Sequence, residues 1–154
     1  MTAVPSTTDR VVLHTNQQVN EEIRRQTESR IAYFAAHPDE IDHRLGELDE
    51  EWDIERTLER NAASVVLFGS FMSLLGGRKW LLLPMVASGF LLQHAVQGWC
   101  PPMGIFRRMG VRTAREIENE RAALKALRGD FKSVTETQEF RQANPRQVIE
   151  AVER

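Results

Sequence analysis

The sequence contains very little cysteine: Cys100 is the single thiol among 154 residues. One cysteine cannot form a disulfide within the chain, and it excludes a zinc site built from several cysteines. The sequence also has no Ser-His-Asp arrangement, no phosphate-binding loop and no GxGxxG motif. The common nucleophilic and nucleotide-binding enzyme classes are therefore without support. We predict that the chain is not an enzyme, unless Cys100 carries thiol chemistry.

Acidic residues are missing from the centre of the chain. Residues 61–112 contain five basic residues and no acidic one, whereas residues 1–60 contain seven arginines against fourteen acidic residues. The net charge of −2 hides this division. Because the N-terminal region is strongly acidic, we expect no binding to nucleic acid.

A long apolar segment occupies this centre. Between Asn61 and Pro102 the only charged residues are Arg78 and Lys79. The part from Trp80 to Trp99 is about 30 Å long as a helix, which is the thickness of the hydrocarbon core of a bilayer. Tryptophan favours the headgroup level, so the two ends of this helix match the two interfaces. The part from Asn61 to Gly77 is shorter, and its final two glycines end the helix and turn the chain.

We therefore predict an all-α fold: a two-helix transmembrane hairpin with amphipathic polar helices before and after it. The predicted segments are a flexible leader (1–15), an acidic helical arm (16–60), the hairpin (61–102), a basic collar with a C-terminal amphipathic helix (103–132), and a loose tail with a short helix (133–154). The alternative is a soluble helical bundle in which the apolar hairpin forms the buried core.

Two helix boundaries follow from the polar regions. No proline or glycine lies between Trp52 and Asn61, so the acidic arm is expected to continue into the hairpin as one long helix. Thr113 and Glu116 have the spacing of a capping box, in which the hydroxyl and the carboxylate each accept a hydrogen bond from a backbone N–H of the first turn. This pair predicts the start of the C-terminal helix.

Two groups of residues are predicted to make contacts outside the chain. The membrane-interface group comprises Arg60, Arg78, Lys79, Trp80, Trp99, Arg107 and Arg108. A partner-docking stripe of apolar residues at helical spacing comprises Ile41, Leu45, Leu48, Trp52, Ile117, Leu124, Leu127 and Phe131. Acidic residues surround the first part of this stripe and anionic lipid would repel them, so its expected partner is another protein or a second copy of the chain.

Basic residues predict the orientation. Arg56 and Arg60 precede the hairpin and four arginines follow it between Arg107 and Arg115, whereas the turn has only Arg78 and Lys79. By the positive-inside rule, both termini are expected in the cytoplasm. The first ten residues contain no apolar signal region, so insertion is expected to occur through the hairpin.

The end of the second apolar helix carries a recognisable motif. Gly98-Trp99-Cys100-Pro101 is followed by Gly104 and by Gly110 in an RxxGxR context. Over about residues 54–112 this resembles the transmembrane domain of the YgaP-like family of inner-membrane proteins, a hairpin whose second helix ends in Gly-x-Cys-Pro. The resemblance implies a bacterial inner-membrane location. The rhodanese domain that often accompanies this hairpin is missing, so sulfurtransferase activity is not implied. The family element before the first helix is replaced by Glu59-Arg60-Asn61-Ala62.

Cys100 is the candidate for thiol chemistry. The nearby Arg107 and Arg108 would favour a thiolate, which is the nucleophilic form, but the preceding helix C-terminus would disfavour it. Three interpretations stay open: a thiol that relays sulfur or senses oxidation, an inert residue before a proline, and a thiol in an intermolecular disulfide or metal site.

His94 is the second candidate. A histidine inside a membrane span can ligate haem or a metal, relay protons, or hydrogen-bond across helices. We predict no cofactor and no metal. The predicted function is that of a small integral membrane protein, an anchor and interaction module whose cytoplasmic helices contact other proteins; a redox or sulfur-relay protein that uses Cys100 is the alternative.

Overall fold

The computed structural model describes residues 7–131. Within this range the chain is mostly helical and contains no strand, which confirms the all-α prediction. The α-helices are α1 (Thr7–Leu13), α2 (Gln17–Ala36), α3 (Ile41–Glu50), α4 (Ile54–Gly76), α5 (Leu82–Gln97), α6 (Pro101–Arg108) and α7 (Ala114–Arg128), with short 3-10 helices at Pro38–Glu40 and Arg78–Leu81. The predicted tail at 133–154 lies outside the described residues.

The predicted flexible leader differs from the structure where the structure describes it. Residues Thr7–Leu13 form α1, and Val11 is completely buried. Val11 belongs to an apolar cluster with Ile54, Leu58, Cys100 and Met103. Burial of one valine contributes about 1.5–3 kcal/mol, enough to hold a short helix that would not be stable by itself.

The prediction of one long helix from the acidic arm into the hairpin was wrong. Helix α3 ends at Glu50, and α4 begins at Ile54. The side chain of Asp53 accepts a hydrogen bond of 2.7 Å from the backbone N–H of Arg56, so Asp53 is the N-cap of α4. The backbone N–H of Ile54 donates to the carbonyl of Arg112 at 2.8 Å. Asp53 itself was the available signal for this boundary, since aspartate is among the residues favoured at the N-cap.

The chain divides into two compact units, described separately below. The first contains residues 7–25 and 51–117 of the described range, and the second contains residues 26–50 and 118–131. The division differs from the predicted order of segments because each unit combines parts of the chain that are distant in sequence.

Helices α4 and α5 of the first unit pack against each other along a close contact at Gly69. A β-carbon added at Gly69 would lie 2.5 Å from Cδ of Pro84 and 2.9 Å from Cβ of Leu83. Glycine is therefore required at this point of approach. Gly77, with φ of +93°, makes the turn between the two helices, as its sequence position predicted.

The first residues of the predicted basic collar belong to a helix, α6. Cys100 is extended at the N-cap position and Pro101 occupies the first turn, where its missing N–H and fixed φ suit a helix start. The capping box at the start of α7 is confirmed. The backbone N–H of Glu116 donates to Oγ1 of Thr113 at 3.2 Å, and the N–H of Thr113 donates to Oε2 of Glu116 at 2.8 Å.

The second unit is held by a buried carboxylate and by apolar packing. Glu120 is completely buried, and Arg30 and Arg44 each bind it at 3.0 Å. Arg121 donates to the carbonyl of Leu48 at 2.9 Å. Four apolar residues of this unit are also buried: Ile41, Leu45, Leu48 and Leu124. A charge without partners would be costly in such surroundings, so the two arginines make the burial of Glu120 tolerable.

The contact at Gly69 makes a stability prediction. Replacement of Gly69 by Ala inserts a methyl group where Pro84 already lies, so we expect the free energy of unfolding to fall by about 1–3 kcal/mol. Gly89→Ala is the matched control, because Gly89 lies in α5 with no atom within 4 Å of an added β-carbon. That variant is expected to gain about 0.5–1 kcal/mol. Thermal unfolding of the protein in mild detergent, monitored by circular dichroism, measures the stability of both variants. Equal changes in stability would contradict the close contact at Gly69.

Candidate functional site

The outer faces of α4 and α5 carry large apolar side chains that nothing in the described chain covers. Leu74 is 82% exposed, Leu67 is 71% exposed and Leu92 is 66% exposed. The other exposed apolar residues of these two helices are Val65, Phe68, Phe71, Leu75, Leu82, Leu83, Met85, Val86 and Val96. A protein in water rarely exposes a continuous apolar surface of this kind, which marks a site of interaction with a protein or a membrane. We call it the outer apolar surface.

Only one helical segment of the described range is long and apolar enough to cross a membrane. It runs from Arg78 to Gln97, and only 11% of an 18-residue apolar stretch within it is buried. A core helix of similar length and composition in a soluble protein is mostly buried, and this segment is not. Helix α4 is less apolar overall, since its first two turns carry charged residues. Its apolar part, from Ala62 to Leu75, is about 21 Å long. A hairpin with two spanning helices is therefore not established.

Most of the predicted interface residues are accessible. Trp80 and Trp99 are each just over one third exposed, and Arg60, Arg78, Lys79 and Arg108 are exposed. Trp52, which was predicted in the docking stripe, contacts one of these residues: the guanidinium groups of Arg56 and Arg60 lie 4.3 and 4.7 Å from the centre of its ring. Cation–π contacts of this kind follow from the i, i+4 spacing of the two arginines on α4 and a tryptophan just before it.

Arg107 is the exception among the predicted interface residues, because it is completely buried. Its Nη1 lies 2.6 Å from Oε2 of Glu116, and its Nη2 lies 2.9 Å from Oε1 of the same carboxylate. Nη2 also donates to Oδ1 of Asn20 at 2.8 Å, and Nη1 donates to the carbonyl of Val111 at 3.1 Å. Arg107 therefore belongs to the core of the first unit and not to a membrane surface.

A second arginine makes a similar pair. Arg112 is 4% exposed, and its Nε and Nη2 lie 2.7 and 2.6 Å from the two carboxylate oxygens of Glu51. The sequence showed a run of basic residues, but it did not show which acidic residues would pair with them. Of the predicted basic collar, Arg108 alone among these three arginines is exposed.

His94 is 7% exposed, and neither ring nitrogen has a hydrogen-bond partner within residues 7–131. The predicted hydrogen bond across helices is therefore not present in that range. The same residues contain no group of three histidine, cysteine or acidic side chains that could hold a metal ion. The structure thus brings no second ligand to His94 among the described residues.

Next to His94, the end of α5 is closed by Arg10 of α1. Gly98 has φ of +77°, and a β-carbon there would lie 2.4 Å from Cβ of Arg10. The Nη1 group of Arg10 donates to the carbonyl of Val96 at 3.0 Å. A cation at a helix C-terminus is favourable, since the last carbonyl groups carry partial negative charge. Sequence reasoning missed this contact, because 86 residues separate the two partners.

Cys100 lies just beyond the end of the candidate span and is 3% exposed. Burial raises the pKa of its thiol, and a hydrogen bond with the backbone of Met103 only partly offsets this. Arg107, one of the two arginines expected to favour the thiolate, is engaged by Glu116. The surroundings therefore favour the thiol form, which is a poor nucleophile.

An apolar cavity of about 300 Å³ lies between α4, α5 and α6. Ten of its twelve lining residues are apolar, and the other two are Asn61 and Cys100. The amide nitrogen of Asn61 donates to the carbonyl of Thr57 at 2.7 Å. The cavity thus offers an almost entirely apolar wall. We call it the hairpin cavity.

The predicted partner-docking stripe is mostly internal. Five of its members are buried in the described chain: Ile41, Leu45, Leu48, Ile117 and Leu124. Trp52 and Phe131 are partly buried, and Leu127 is 45% exposed. The apolar periodicity of these helices therefore reflects packing within this chain, and it leaves little apolar area there for a separate partner.

Comparison of this chain with protein-family models, with curated proteins and with solved structures gave no match.

The ion pair between Arg107 and Glu116 makes a pH-dependent prediction. Burial alone would raise the pKa of Glu116, but hydrogen bonds from Arg107 and Thr113 outweigh it and hold this pKa below its ordinary value of 4.5. The stabilisation is therefore complete above pH 4.5 and is lost as the pH falls through the lower folded-state pKa. Glu116→Gln is expected to cost about 3 kcal/mol at neutral pH, because it leaves a buried charge unpaired, and to weaken this acid dependence.

Denaturant unfolding of both proteins between pH 7 and 3 measures this effect. Glu118→Gln on the same helix is the control, because the side chain of Glu118 is 62% exposed and its ion pair with Arg121 is a surface pair. A Glu116→Gln variant with wild-type stability at pH 7 would show that the pair does not hold the first unit together.

Proposed function

We propose that this chain is a small integral membrane protein, in which the α4–α5 hairpin lies in the bilayer and the polar helices form a cytoplasmic interaction module. The observation that carries the proposal is the exposure of the outer apolar surface. In water this exposed area is unfavourable by about 25 cal/mol for each Å² that burial would remove. In lipid the same area is favourable, and no protein partner is required to cover it.

The exposure also argues against the soluble-bundle alternative. In a soluble bundle the most apolar helix lies at the centre and its side chains are buried. Here the most apolar helical segment, Arg78–Gln97, is the one whose residues are left uncovered, whereas the polar helices have buried apolar residues and paired charges. Apolar side chains are therefore buried in the polar helices and exposed in the most apolar segment.

The length of α4 fits this proposal if its charged first turns lie at the headgroup level. Arg56 and Arg60 over Trp52 are suited to that depth, because indole and guanidinium groups are both favourable at the interface. The apolar part of α4 is about 9 Å shorter than a 30 Å hydrocarbon core. Local thinning of the bilayer or tilting of the longer helix accommodates such a mismatch at modest cost.

The proposed interaction module consists of the polar helices. The surfaces that α2, α3 and α7 expose are mainly charged, and most of the apolar docking stripe is used internally. A partner protein would therefore be recognised through charged side chains, and a second copy of the chain would meet the outer apolar surface inside the bilayer. The YgaP-like resemblance at Gly98–Pro101 supports a bacterial inner-membrane location, and it remains part of this proposal.

Membrane insertion is tested by a charge placed on the outer apolar surface. Leu92→Arg puts a cation near the middle of α5, where insertion costs about 2.5–3.5 kcal/mol more. We expect this variant to leave the membrane pellet after carbonate washing, whereas the wild type stays in it. Leu127→Arg is the matched control, since Leu127 is an exposed leucine of α7, outside the hairpin. Release of the wild type by carbonate would overturn the proposal.

Orientation is tested by a cysteine at the turn. In a Cys100→Ser background, Arg78→Cys is expected to react with a membrane-impermeant maleimide added to spheroplasts. Gly46→Cys is the control, because Gly46 is exposed on α3 and is expected in the cytoplasm. That variant should react only after permeabilisation. Labelling in the reverse pattern would place both termini outside and contradict the positive-inside assignment.

A further inference from the structure

The proposed function assigns no role to the hairpin cavity. It lies between the two arms of the hairpin, and Cys100, Pro102 and Phe106 line it from the start of α6. On α4 its lining runs from Leu58 to Val65, about 10 Å along the helix axis. Closer to the turn, the arms come into direct contact at Gly69.

The walls of the cavity disfavour a polar ligand. Small-molecule sites usually combine apolar walls with a few polar groups that orient the ligand. In this cavity the side-chain nitrogen of Asn61 donates to the carbonyl of Thr57, and the Cys100 thiol is a weak donor. A polar group that entered would exchange its hydrogen bonds to water for few others, which is costly in apolar surroundings.

The volume of the cavity is about 300 Å³, and its lining extends about 10 Å along α4. A stretch of a linear hydrocarbon chain or a single protruding side chain is small enough to enter a space of this size.

The open side of the cavity identifies the source of the occupant. Its rim residues Val65, Leu83 and Val86 are between 39% and 51% exposed and belong to the outer apolar surface. If that surface faces lipid, the cavity opens directly into the hydrocarbon core, and acyl chains are the molecules at its entrance.

We infer that the hairpin cavity binds one acyl chain of a membrane phospholipid, which fills the space between the arms. This inference rests on the proposed membrane insertion. The chain replaces contacts that the side chains of Ala62 and Ala87 are too short to make, since an unfilled void loses those dispersion contacts. The lipid is thus part of the packing of the hairpin.

The test uses the full chain in vesicles of phosphatidylcholine that carries a photoreactive diazirine on one acyl chain. After irradiation, mass spectrometry locates the adducts. We expect adducts on Cys100 or Phe106, because both residues line the cavity and Cys100 is only 3% exposed. Adducts on Leu92 of the outer surface report insertion alone.

Two variants fill the cavity. Ala62→Phe and Ala87→Phe are expected to lose the adducts on Cys100 and Phe106 and to keep those on Leu92. The matched controls are Ala63→Phe and Ala95→Phe, at exposed positions one residue and two turns away that do not line the cavity. They are expected to keep both sets of adducts. Two independent filling variants guard against the failure of either one to fold, which circular dichroism checks.

The outcomes separate the two proposals. Adducts on Leu92 without any on Cys100 or Phe106 overturn the acyl-chain site and leave membrane insertion intact. Cavity adducts that disappear as the protein concentration in the vesicles rises indicate a side chain of a second copy, and this also overturns the acyl-chain site. Release of the chain from the vesicles by carbonate overturns both proposals.

Discussion

The first unit depends on the burial of one charged group, the guanidinium of Arg107. A buried charge is tolerated only where its geometry is good and most of its donors are used. Here the two terminal nitrogens make two bonds to Glu116, one to Asn20 and one to the carbonyl of Val111, whereas Nε has no hydrogen-bond partner among the described residues. These bonds connect α6, the first turn of α7, α2 and the turn between α6 and α7. The carboxylate that receives Arg107 is also the one that completes the capping box with Thr113. The Glu116 side chain thus caps the start of α7 and also binds Arg107 of α6.

The polar and apolar parts of the described chain follow opposite rules. Charges on the polar helices are paired in the interior, as Glu120 is between Arg30 and Arg44, and their apolar residues are packed. The hairpin leaves its apolar residues outside. A single solvent does not favour both arrangements, since water stabilises the first and penalises the second. The proposed placement, with the polar helices in water and the hairpin in hydrocarbon, is consistent with both arrangements.

The two candidate residues for chemistry are not activated by their surroundings. Cys100 is buried with a thiol whose pKa is raised, and His94 has no second ligand within residues 7–131. The redox or sulfur-relay hypothesis therefore has no structural feature in its favour within that range. The prominent features there are a surface and a cavity, and both are apolar. In our proposals both are in contact with hydrocarbon, the surface in the bilayer and the cavity with an acyl chain.

By itself, the sequence determined the helical class, the position of the apolar hairpin, its turn at Gly76–Gly77 and the capping box of α7. Each of these depends on residues within a few positions of one another, through periodicity, backbone freedom or a local hydrogen bond. The start of α4 at Asp53 and the helix after Pro101 were also local, and their signals were overlooked. Only the tertiary structure decided that Arg107 is buried, that Arg10 closes the end of α5, that the docking stripe is internal, and that the hairpin encloses a cavity. These features join residues up to 86 positions apart. Spacing along the chain does not encode which distant partner a charge or an apolar face meets, because that choice is made by the packing of whole helices.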